Sequence, residues 1–137
     1  MRLTRYDPKL DAIYADGHCF DMAELEGMFA VNMLTGLFPD LSRYNHRKYI
    51  RDGAGYNVAV NERAWGYFAL RYSHVDGQRE SIMLDYGHDQ NRPPVSWIRD
   101  YVRSNDADGI YLGKFCLYKP EKLIFVGYFL LCRARRL

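Results

Sequence analysis

From residue 46 onward the chain runs in short stretches of alternating apolar and polar residues broken by turn residues, the pattern of antiparallel strands. "HRKYI" and "YNVAV" flank the glycine-rich "RDGAG", and "NER" leads into "AWGYFALRYSHV". Asp76-Gly77 is a preferred pair for a two-residue hairpin loop, and such a loop fixes the register on either side of it. Val75 then faces Gln78, Leu70 faces Met83, Phe68 faces Asp85 and Tyr67 faces Tyr86. One face of the hairpin carries Phe68, Leu70, Tyr72, Met83 and Asp85; the other carries Trp65, Tyr67, Ala69, Ile82, Leu84 and Tyr86. In the last hairpin, "GIYLGKFCLY" and "LIFVGYFLLCRAR" around "KPEK", Tyr118 pairs with Leu123, Cys116 with Phe125 and Leu112 with Phe129, with Lys114 opposite Gly127.

The first third is less regular. Residues 1 to 20 read as an irregular lead-in. "DMAELEG" has Asp21 as N-cap and Glu24 three residues on, a capping-box pattern for a short helix that Gly27 ends. "MFAVNMLTG" reads as a strand, with a helix running to Leu34 as the alternative, and "LFPDLS" as a connection. "VSWIRDYV" fits either a strand or a short helix begun by Pro93-Pro94. The last hairpin is apolar on both faces and needs cover on both sides. A closed barrel with one face inward supplies this, and short loops between successive strands suit an up-and-down order. The expected fold is mainly β: one domain over residues 1–137, a lipocalin-like antiparallel barrel with a short N-terminal helix.

Composition narrows the classes. The chain has 137 residues, 48% of them hydrophobic, with 12 tyrosines, 7 phenylalanines and 2 tryptophans, enough for a sizeable core. A net charge of +2 does not point to a nucleic-acid partner, and the basic "CRARRL" at 132–137 reads as a solvated strand end. No run approaches the length of a membrane span, and the first residues lack the apolar core of a signal peptide. Three cysteines without metal-site spacing favour free thiols and a reducing, cytoplasmic setting.

Candidate chemistry gathers in "SIMLDYGHDQNRPPVSWIRDYVR", residues 81–103. Placed inward beside Phe68 and Met83, the Asp85 carboxylate is desolvated unless a cation compensates. Arg99 and Arg103, four residues apart, share a face in either a helix or a strand. One reading is a structural ion-pair network; the other is a ligand site with Asp85 as general base and Arg103 as oxyanion holder. His88, if it folds over the barrel mouth, is the acid–base partner of Asp85. Trp65, Tyr67, Phe68, Tyr72, Met83, Phe115 and Phe129 are candidates to line a cavity, and Arg99, Asp100 and Tyr111 to orient a ligand. Asn57 and Asn91 could also orient one, although each has an ordinary turn or strand explanation. The dispersed His18, His46 and His74 lack metal-ligand spacing, and neither a nucleophile elbow nor a phosphate loop is present, so no metal and no cofactor is expected. Gly53, Gly55 and Gly77 read as turn residues.

"ELEG" (24–27), "GYNVAV" (55–60), "WGYFAL" (65–70), "LDYG" (84–87), "IRDYVR" (98–103), "GIYLGK" (109–114) and "YFLL" (128–131) resemble a series in a family of small bacterial proteins. There it runs E-L-D-G, N, G-x-F, L-D-Y, I-R-D-E-[IL]-R, G-L-Y-L-G and F-x-L. The resemblance implies a β-rich fold akin to the calycin barrels and no settled activity. Asp85, Tyr86, Arg99, Asp100, Arg103, Tyr111 and Gly113 match it; Tyr101 stands where the series has Glu. Three functions stay open: binding of a small hydrophobic or amphipathic ligand with one polar or anionic end; a cofactor-independent isomerase, cyclase or lyase on the same barrel; and an interaction protein that forms a homodimer through an outer face around Ile124, Val126 and Tyr128.

Overall fold

The structure is a computed structural model that describes residues 6–35, 45–74, 80–119 and 122–134. Eight antiparallel strands close into a barrel in sequence order: β1 (Gly27–Met33), β2 (Arg47–Arg51), β3 (Ala54–Val58), β4 (Ala64–Ser73), β5 (Ser81–Asp85), β6 (Ile98–Ser104), β7 (Ile110–Lys119) and β8 (Lys122–Arg133). β8 returns to pair with β1, which closes the sheet on itself. This is the lipocalin-like architecture expected from the strand pattern.

The β2–β3 hairpin shows how local sequence shapes the wall. Asp52 and Gly53 both have positive φ, 53° and 76°, and Arg51 pairs with Ala54, which makes a two-residue turn of the kind Asp-Gly favours. Gly55, expected in that turn, lies instead inside β3 opposite Phe68. The β4–β5 hairpin departs by one residue from the register expected of a two-residue loop. Leu70 pairs with Leu84 and Ser73 with Ser81, so residues 74–80, an odd number, connect the strands. Residues 75–79, which include Asp76 and Gly77, lie outside the described residues. Because side chains alternate with period two, the slip exchanges the faces of β5. Ile82 and Leu84 point into the core, while Met83 and Asp85 stand outside.

The β7–β8 ladder keeps the expected pairs Tyr118–Leu123 and Cys116–Phe125. A bulge at Phe115/Cys116 then leaves Val126 out of the pairing, so Leu112 faces Leu130 and Lys114 faces Tyr128. Cys132 falls opposite Ile110, far along the ladder from Cys116, and none of the three cysteines forms a disulfide; Cys116 is buried, whereas Cys19 and Cys132 are half-buried.

The helix sits earlier than expected. "DMAELEG" forms only a 3₁₀ turn, Met22–Glu24, with the Asp21 carboxylate accepting from Ala23 N at 2.9 Å. The helix, α1, spans Pro8–Asp16, with Pro8 in its first turn and Asp7 capping Lys9 N and Leu10 N. It lies across the outer face of the barrel. There Tyr14, Tyr101, Leu112, Cys116 and Tyr128 form one core cluster, to which Lys114 adds its ammonium 4.4 Å from the Tyr14 ring centroid and 3.4 Å from Asp11. Tyr128, expected on a homodimer face, is fully buried under this helix and donates to Asp11 at 3.2 Å. Tyr101 belongs to the same outer layer and points away from the barrel interior.

The interior holds the second cluster, including Phe29, Ile50, Phe68, Leu84, Val102 and Phe129. Burying each of these large side chains stabilises the fold by about 1.5–3 kcal/mol. Gly113 makes room for one of them. It pairs with Phe129, and a Cβ there would stand 2.3 Å from the ring. At one end of the barrel, residues 18–25 fold over the opening: Phe20 stacks on Tyr111 at 4.6 Å, Leu25 is fully buried, and Met22 N donates to the Tyr72 hydroxyl at 2.9 Å.

Candidate functional site

Four polar side chains meet inside the barrel. Lys48 on β2 and Asn57 on β3 are cross-strand partners on the inner face, in phase with the core residue Ile50. Tyr86 follows β5 directly, and Asp100 on β6 pairs with Leu84, which carries it inward. Lys48 and Asn57 are wholly buried, and Asp100 and Tyr86 are 1% exposed.

The hydrogen bonds assign the atoms. Lys48 Nζ donates to Asn57 Oδ1 at 2.7 Å and to the Tyr86 hydroxyl at 2.6 Å; that hydroxyl in turn donates to Asn57 Oδ1 at 3.1 Å. An ammonium only donates, so the Asn57 atom it reaches is the carbonyl oxygen, and the amide nitrogen points elsewhere. Asp100 Oδ2 lies 3.7 Å from Lys48 Nζ, an ion pair too long for a hydrogen bond. Among the described residues, Asn57 Nδ2 and both Asp100 oxygens are buried with no hydrogen-bond partner. The rings of Phe68, Tyr86 and Phe129 surround the ammonium at 5.4, 5.4 and 5.9 Å, so cation–π attraction supplements the sparse polar contacts.

Burial pushes both charged groups toward neutrality. Desolvation lowers the Lys48 pKa to about 8 against the restoring pull of Asp100, and raises that of Asp100 to about 6 against the pull of Lys48. Desolvation, reinforced by the Asp100 charge, also raises the Tyr86 phenol well above its ordinary value. Among the described residues, no group of three or more His, Cys, Asp or Glu is placed to hold a metal ion.

No family model, curated protein or solved structure matches the chain. The site therefore rests on its geometry.

The expected site residues divide between the two sides of the wall. Asp100 and Phe68 are inside, at the polar cluster. Asp85 is outside, its oxygens 3.1 Å from Arg71 Nε and 3.1 Å from Arg99 Nε, with Gly87 N donating to it at 2.9 Å. The expected counter-charge pair of Arg99 and Arg103 is thus replaced by Arg71 and Arg99. Arg99 is further tied to Ser96 O and Ile98 O, each at 2.8 Å. Arg103 holds the helix end and the neighbouring strand, donating to Gly17 O and to Glu80 O with its guanidinium over the Tyr14 ring. It is not near Asp85, because four residues along a strand separate it from Arg99.

Met83 packs under α1 with the outer cluster. Trp65 is half-buried beside the β3–β4 bulge, opposite Asn57, and Tyr67 follows the outward phase of β4. Tyr67 joins Tyr49, Tyr56 and His88 in a row of rings spaced 5.5–6.0 Å. His88 is exposed in its loop, its Nδ1 accepting from Gln90 N at 3.1 Å, and does not reach the barrel interior. Asn91 bridges that loop to the wall through Tyr67 N, Tyr67 O and Tyr86 O. Tyr72 and Tyr111 anchor the covered end. Tyr72 is half-exposed there, and Tyr111 donates to Glu24 at 3.1 Å. Phe115 packs against the interior core. An outer groove of about 1070 Å³ beside Met28, Tyr49 and Cys132 has none of the expected site residues in its walls.

Lys48 is the residue that sequence reasoning missed. Its signal was its phase. In "HRKYI" Lys48 alternates with Tyr49 and shares the side of Ile50, so an inward Ile50 requires an inward lysine.

Proposed function

We propose that this barrel binds a small molecule with a largely apolar body, whose polar end is held by Lys48, Asn57, Tyr86 and Asp100. The observation that carries the reading is the gathering beside Lys48 of three buried atoms without hydrogen-bond partners among the described residues: Asn57 Nδ2 and the two Asp100 oxygens. Buried polar groups are nearly always hydrogen-bonded, and each one left bare costs about 1–3 kcal/mol. A polar group bound beside Lys48 removes that cost. Around it the interior offers aromatic and aliphatic walls, the usual composition of a small-molecule site.

The apolar body needs space that side chains now fill. Phe20 and Leu25 come from the covering segment and not from the barrel wall, so they are displaced without breaking a strand. This reading moves the polar anchor from Asp85 to Asp100. It also removes the support for Asp85 as a general base, since arginines engage that carboxylate on the outer surface.

The test is ligand-linked stability. Stripping the freshly purified protein over a hydrophobic resin should lower its melting temperature by several degrees, and adding back the extract should restore it. Identical melting before and after stripping contradicts the reading.

A further inference from the structure

From the donors and acceptors left open at this site, we infer that the polar end of the ligand is an uncharged hydrogen-bond donor–acceptor group, an alcohol or a primary amide, and not a carboxylate or other anion. The inference rests on the binding reading above and specifies its chemistry.

Of the three protons that the Lys48 ammonium can offer, one goes to Asn57 and one to Tyr86; the nearest other group is Asp100. The Tyr86 proton goes to Asn57. Among the described residues this leaves as donors the Asn57 Nδ2 group and the third Lys48 proton, and as acceptors the two Asp100 oxygens, all enclosed. The Lys48 ammonium is already matched by the Asp100 carboxylate. An anion entering here would add an uncompensated negative charge and face Asp100 at close range in a medium of low polarity, where like charges repel strongly. A hydroxyl donates to Asp100 and accepts from Asn57. A primary amide does the same, with a second N–H to spare for the other Asp100 oxygen. Sites that leave a buried polar group unpaired with the wrong ligand discriminate far more sharply than apolar pockets do. Burial raises the Asp100 carboxyl against the pull of Lys48 and Tyr86, the mark of a carboxylate held away from water.

The test uses three probes with the same chain, octan-1-ol, octanamide and octanoate, titrated into stripped, folded protein at about pH 7.5. Binding is followed by calorimetry and by the NMR signals of the Asn57 side-chain amide. The alcohol and the amide should bind at least about ten-fold more tightly than octanoate, with the Asn57 signals shifting. In Asp100→Asn, octanoate should gain relative to the other two. Octanoate binding as tightly as the neutral probes to the wild-type protein overturns the inference and leaves the binding reading standing. If none of the three binds, both fail, and the bare atoms are met by water. The wild-type series decides the matter even if Asp100→Asn does not fold.

Discussion

Leu70 lies directly opposite Leu84 on the inner wall, and that pairing decides which carboxylate of the 84–100 region is inside. With Leu84 inward, its β6 partner Asp100 is inward too, and Asp85 is left outside between two guanidiniums. Among the described residues, the buried charge of Asp100 is then answered by Lys48 at 3.7 Å, so the two residues depend on each other.

That dependence sets the first prediction. At neutral pH, Lys48→Met should destabilise the stripped protein by about 3–5 kcal/mol, because it leaves Asp100 buried and uncompensated. Lys48→Met combined with Asp100→Leu should recover most of the loss, since two apolar side chains need no mutual compensation. Urea unfolding of the single and double variants measures the coupling. A double variant as unstable as the sum of its parts contradicts the pairing.

The same pair gives stability a particular pH dependence. Folded Asp100 keeps its proton up to about pH 6, whereas the unfolded chain releases it near 3.8, so the pair's contribution falls as pH rises through that interval. Folded Lys48 loses its proton near pH 8 and the unfolded chain near 10.5, so the contribution rises again between those values. The difference in unfolding free energy between wild type and the Lys48→Met/Asp100→Leu variant should therefore pass through a trough at about pH 6–8. A difference that peaks in that window would mean the charged pair is favoured by folding, contrary to its enclosed geometry.

Close packing at Gly113 supplies a third test. Gly113→Ala drives a methyl group into the Phe129 ring, and overpacking of this kind costs about 1–3 kcal/mol. Phe129→Leu should relieve part of that cost, so the double variant should be more stable than the sum of the single effects predicts. Strict additivity in chemical denaturation would show that the two residues do not share the contact.

Much of the fold was legible because strands announce themselves locally. Alternation located β2 to β5, β7 and β8, favoured a strand over a helix at β1 and left β6 open between the two. The Asp52-Gly53 turn specified its hairpin, and strands apolar on both faces required a closed sheet. Register was the part that escaped. One residue of difference in the β4–β5 connection reversed the faces of β5, and the bulge at Val126 shifted half of the last ladder. Neither leaves a mark in hydrophobic periodicity, since residues on both faces of these strands are apolar. Helix α1 was legible and overlooked: Asp7 before Pro8 is a helix start, and Asp11 and Tyr14, three residues apart, lie on one face of the helix it begins. At the site, Asp100, Phe68 and Asn57 were named from sequence, but Lys48 was not, because a lysine between Arg47 and Tyr49 reads as solvent-facing until the phase of Ile50 is imposed.

The most direct measurement of the central claim, that the ligand is held by the inner face of the wall and not by the outer one, is native mass spectrometry of freshly purified wild-type, Asp85→Asn and Asp100→Asn proteins side by side. Binding by the inner face predicts a retained small molecule of the same mass on wild type and Asp85→Asn, and its loss or marked depletion on a folded Asp100→Asn. Retention by Asp100→Asn together with loss from Asp85→Asn would contradict it, as would folded wild-type protein that carries no bound molecule at all.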